Sequence, residues 1–124
     1  MLFRSGASNC TGQTALLVMK WRTPTLVPST NPGPPTTTVA DYQAVYTYST
    51  SPAVPPDPAK GKIVRRLYRT AGANCTLLNS RPLASSVSAT VAPTVAIDGA
   101  AQTVTLTVTD YSGNKYVARA KERS

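Results

Sequence analysis

Thr103-Val104-Thr105-Leu106-Thr107-Val108-Thr109-Asp110-Tyr111-Ser112-Gly113-Asn114-Lys115-Tyr116-Val117-Ala118-Arg119, inside the stretch from Ala101 to Lys121, decides the fold class. Val104, Leu106 and Val108 alternate with threonines, so one side of the segment is apolar and the other bears hydroxyls, the period of a β-strand. Asp110 to Asn114 contains a glycine able to take positive φ, and Lys115 to Arg119 then resumes an extended pattern. The stretch reads as an antiparallel hairpin closing the C-terminal edge of a sheet.

The rest of the chain agrees with a mainly β domain. Its 124 residues support one domain with a modest core. Apolar residues make up 41%, yet Phe3 and Trp21 stand alone of their kinds and six tyrosines supply most of the aromatic area. Such a core is thin and is built from valine, leucine and tyrosine on strands. Eleven prolines work against long helices.

Residues 1–12 read as a connector or fragment edge, with Met1 to Ser5 set aside from the fold, and residues 13–124 as a single β-rich domain. Ala15 to Trp21 is the first expected strand, continuously apolar and therefore central. Thr23 to Ala40, with Pro24, Pro28, Pro32, Pro34 and Pro35, reads as a long surface loop of polyproline character. Asp41 to Tyr48 gives a strand with Tyr42, Ala44, Tyr46 and Tyr48 on one side, better suited to packing than to ligand capture. Ser51 to Ala59 is a second proline loop. Lys62 to Arg69 is the third strand, Leu83 to Val87 a short helix of one turn or a plain turn, and Ala89 to Ile97 a fourth strand interrupted by Pro93. Asp98-Gly99 turns the chain into the hairpin.

Thirteen basic residues against five acidic ones give a net charge of +8 and favour polyanionic partners or simple solubility. Lys62, Arg65, Arg66 and Arg69 are the candidate polyanion-binding residues. Alternation puts Arg65 and Arg69 with Ile63 and Leu67, and Lys62 and Arg66 with Val64 and Tyr68. Charge along an edge strand also guards against aggregation, which is the competing reading.

Cys10 and Cys75 are the two cysteines, and the chain has no histidine. An ordinary four-ligand zinc site cannot be built from these, and no metal ligand set or cofactor is expected. A Cys10–Cys75 disulfide is the economical reading, which places the domain in an oxidising compartment, with two separate buried thiols as the alternative. Without histidine there is no Ser-His-Asp or Cys-His arrangement. Asp41, Asp57, Asp98, Asp110 and Glu122 are scattered, and no pair has the spacing of a two-carboxylate site. No catalytic residue is assigned, and neither enzymatic activity nor a small-molecule substrate is expected.

Leu16 to Trp21, Tyr42 to Tyr48, Val64 to Thr70, Leu83 to Val87 and Thr103 to Asp110 occur in an order that resembles the soluble domain of minor type IV pilins and of the pseudopilins of type II secretion and competence systems. The resemblance covers Ala15 to Arg123. It implies an antiparallel sheet packed on a long N-terminal helix, α+β once that helix is counted, with the helix lying outside these 124 residues. It further implies a non-catalytic subunit, bacterial, in the cell envelope or outside it and membrane-anchored through the helix. The implied partners are other pilin subunits, together with DNA or an exported substrate. The alternative is an immunoglobulin-like β-sandwich acting as a bacterial surface adhesion module or a virion protein.

Overall fold

The computed structural model describes residues 2–6, 10, 15–27, 33–55 and 59–121, with side chains at 10, 15–24, 33–55 and 59–121. Its elements are strands: β1 (Leu2–Gly6), β2 (Ala15–Val27), β3 (Thr36–Ser51), β4 (Lys60–Ala71), β5 (Asn74–Ser88), β6 (Thr94–Asp98), β7 (Thr103–Thr109) and β8 (Lys115–Lys121). The fold is mainly β and every strand pairing is antiparallel. Strands β1 to β5 form one sheet in sequence order, and β6, β7 and β8 form a second. The hairpin of β7 and β8 is present as expected, but it belongs to this smaller sheet and does not close the larger one.

Four local expectations are corrected. Leu2–Gly6, within the stretch read as a connector or fragment edge, is an edge strand paired to β2. The segment from Thr23 to Ala40 is mostly ribbon: β2 and β3 stay paired from Leu17↔Tyr46 out to Val27↔Thr36. Threonine's extended preference carries these residues. Pro24 is tolerated because β1 pairs only as far as Lys20, and among the described residues no strand pairs with the outer side of β2 beyond it. Leu83 to Val87 forms no helical turn, being part of β5. That strand is an edge, and three register shifts against β4 absorb its extra residues as bulges. The fourth strand begins at Thr94, after buried Pro93, because Ala89 to Val91 turns: the backbone N–H groups of Thr90 and Val91 donate to Ser88 Oγ at 3.2 and 3.0 Å.

The register gives the larger sheet two distinct faces. The back face buries Ala15, Val18, Val45 and Tyr68, with Cys10 and Cys75 packed against them. Cys10 and Cys75 are disulfide-bonded, with Cα atoms 5.5 Å apart and a sequence separation of 65. Since Cys75 lies on β5 while β1 and β2, which flank Cys10, sit at the opposite side of the sheet, the bond ties the chain across this face. The front face carries Leu17 and Met19 from β2 and Tyr46 from β3. Val104 and Val95 of the smaller sheet pack on them. An extra β2 residue between Ala15 and Val18, opposite Arg4 and Gly6 of β1, lets Ala15 and Leu17 serve opposite faces.

The smaller sheet is anchored at one end of the front face. Val87 makes a bridge with Asp110, and the Tyr111 N–H donates to the Ser86 carbonyl at 3.1 Å. The turn between β7 and β8 is organised by the Asp110 carboxylate, which accepts from the backbone N–H groups of Ser112 and Asn114, each at 2.9 Å, and from the side chains of Asn114 and Tyr116, each at 3.3 Å. Desolvation raises the Asp110 pKa, but the bonds from Asn114, Ser112 and Tyr116 outweigh it and hold the carboxyl below the ordinary carboxylate value. A depressed folded-state pKa stabilises the turn above the ordinary carboxylate range and loses that contribution as pH falls through the depressed value. Protection of the Ser112 and Asn114 amides, the observed exchange being divided into the intrinsic rate, is therefore expected to fall on acidification over that window. In Asp110→Asn the exchange, corrected for intrinsic rates, should lose this pH dependence.

Candidate functional site: a basic and aromatic sheet face beside an apolar groove

The front face is read row by row from the strand pairing. Leu17 of β2 pairs with Tyr46 of β3, which pairs with Arg65 of β4, which pairs with Arg81 of β5. Two residues along, the row is Met19, Ala44, Leu67 and Asn79; two further, it is Trp21, Tyr42, Arg69 and Thr76. Neighbours in a row lie about 5 Å apart, and successive rows about 7 Å apart along the strands. No acidic residue occupies any of these positions.

The two ends of this face differ. At the Leu17–Tyr46 end the smaller sheet covers it, leaving a groove of about 240 Å³ lined by Leu17, Met19 and Tyr46 on one side and by Val104, Leu106, Ala118 and Arg119 on the other. At the far end the rings of Trp21 and Tyr42 stack, centroids 5.8 Å apart and planes within 19°. Both rings remain half-buried, and Arg69 beside Tyr42 is exposed. The neighbouring acid, Asp41, belongs to the back face, where its Oδ1 accepts from Arg22 Nε at 2.8 Å.

The four candidate basic residues are not one patch. Arg65 and Arg69 stand on the front face; Lys62 and Arg66 stand on the back, where Arg66 donates to Thr47 Oγ1 at 3.0 Å. The alternation of β4 showed this division. Sequence reasoning missed Arg81, which the bulged path of β5 places directly opposite Arg65. It also missed the Trp21–Tyr42 pairing, which depends on the register of the long β2–β3 ribbon; the aromatic residues beside arginines were the available signal.

Among the described residues, no three His, Cys, Asp or Glu side chains cluster as a metal site. No helix among them is long and apolar enough to cross a membrane. What the arrangement can do is stack planar groups, attract anions and seat apolar side chains.

No protein-family model matches the chain, and no curated protein or solved structure shows a match.

Proposed function

We propose that this chain is a non-catalytic structural subunit of a filament of the type IV pilus, type II secretion or competence kind, a minor pilin or pseudopilin that works in the bacterial envelope or outside it. The reading starts from the resemblance carried by the strand order, and the observation that supports it is the apolar groove between the two sheets. A self-sufficient domain closes such a seam with its own side chains. Here Leu106 and Met19, which line the groove, stay only half-buried. A helix is about 10 Å across, so the groove takes the apolar side chains of one helix face and not a whole helix. The Cys10–Cys75 bond fits an oxidising compartment.

A second reading is favoured by one observation. The two sheets face each other through Leu17 and Val104, as the layers of a sandwich do, which suits a surface adhesion module or a virion protein.

Deleting the gene in its host and complementing it separates the two. The filament reading expects loss of surface filaments or of secretion, restored by the natural chain and not by Leu106→Asp at equal abundance of disulfide-bonded protein. Normal filaments and secretion in the deletion strain would overturn it, and a loss of surface attachment alone would assign the adhesion role.

A further inference from the structure

We propose that the front face binds single-stranded nucleic acid along a path from its open end, where Trp21 and Tyr42 stack on bases and Arg69 is exposed, to half-buried Arg65 and exposed Arg81 on the β4–β5 side of the covered row, the three arginines holding phosphates. This goes beyond the filament reading and does not depend on it.

The first support is the placement of the residues. A sequence-tolerant single-strand site combines a cationic track for the backbone with aromatic side chains that stack on bases. Here the stacked pair Trp21–Tyr42 continues across β4 into Arg69. Arg65 lies two rows away, about 14 Å along the strand. The aromatic surface occupies one side of the track and the guanidinium groups the other, as a strand with bases and phosphates on opposite sides requires.

The second support is an electrostatic conflict. Arg65 and Arg81 are directly opposed across β4 and β5. Like charges in that relation repel, and neither has a carboxylate partner among the described residues, where Asp41 is taken by Arg22. A phosphate between the two guanidinium groups removes the repulsion and accepts their hydrogen bonds in the planar fork geometry that arginine offers.

The third is selectivity between anions. A duplex hides its bases inside the stack, so half-buried rings on a sheet gain nothing from it. An acidic polysaccharide meets the arginines but offers no planar base. Single strands alone use both halves of the site.

The test titrates the full 124-residue chain with oligothymidylate, oligouridylate, a duplex of equal length and heparin, at low and at physiological salt. Trp21 is the chain's single tryptophan, so its emission reports stacking directly. Saturable quenching by either single strand is expected, with salt-sensitive affinity at least tenfold above that for the duplex. Whether the DNA or the RNA oligomer binds more tightly assigns the sugar. The triple variant Arg65→Ala/Arg69→Ala/Arg81→Ala should lower the slope of log affinity against log salt by about 2, at about 0.7 per phosphate contact on a single strand. Its melting temperature should not fall, since it removes a repulsion. Tyr42→Leu should weaken binding about fivefold or more through lost stacking. Arg22→Ala/Lys62→Ala, on the back face, should change it less than about threefold. Unquenched Trp21 emission, equal affinity for duplex or heparin, or an unchanged triple variant overturns the proposal.

Discussion

Cys10→Ser/Cys75→Ser is expected to lose about 4 kcal/mol of stability, the chain-entropy value for a closed loop of this size. For a domain of this length that is a fall of roughly 10–20 °C in melting temperature. The sign follows from the unfolded state: with the bond intact, residues from Cys10 to Cys75 remain a closed ring when the sheet melts, and their conformational freedom is restricted. The folded state adds a second contribution. Cys10 and Cys75 pack against Val18 and Val45, both fully buried, so serines in their place leave polar groups against an apolar cluster. Thermal melts of the oxidised natural protein, the same protein after reduction, and the double serine variant separate the two contributions. Reduction removes the ring and leaves the sulfurs; the substitution removes both. A loss below about 1 kcal/mol in the variant would mean that the tie across the back face constrains little.

Gly61→Val carries the second large effect, and its sign is contested by two principles. Gly61 lies within β4, where valine's β-propensity favours the substitution by up to about 1 kcal/mol. Space opposes it. A Cβ at Gly61 would stand 2.5 Å from Tyr48 Cε2 and 3.0 Å from the Ser88 carbonyl oxygen. The ring cannot swing away freely, because the Tyr48 hydroxyl donates to that same Ser88 carbonyl. Overpacking of this kind costs about 1–3 kcal/mol, and the added methyl groups place valine near the upper value. The variant is expected to melt lower and to disturb the end of β5. Combining it with Tyr48→Ala provides the check: the two costs should fall short of additive, because the second substitution clears the space the first requires. Full additivity would locate the strain elsewhere.

The sheet pattern was legible where side chains alternate strictly and turns carry their own chemistry. Thr103 to Thr109 shows both its strand and its apolar face, and Asp98-Gly99 and Asp110 to Gly113 mark the turns on either side. The errors have one physical source. Proline and small polar residues at Thr23 to Ala40 and at Leu83 to Val87 have weak local preferences, and their extended state is fixed by a paired neighbour that no local window contains. Pro24 lies in a strand because no other described strand pairs with that flank there, a fact of topology. The candidate face was half visible. Alternation divided Arg65 and Arg69 from Lys62 and Arg66, whereas the meeting of Arg65 with Arg81 depends on the bulge between Leu67 and Tyr68, which shifts β5 by one residue against β4.

The cross-face bond also bears on how the domain carries load. When the two termini are pulled apart, tension entering near residue 10 passes through the sulfur bridge to β5 and bypasses β2, β3 and β4. Those strands cannot unravel while the bridge lasts, so about 220 Å of contour, at about 3.4 Å per residue over a separation of 65, is withheld from extension. A stretched molecule would lengthen by peeling β1 and β5 from the ring and by opening β6, β7 and β8, while the pairings of β2, β3 and β4 with one another stay intact as a template for recoil once the pull is released.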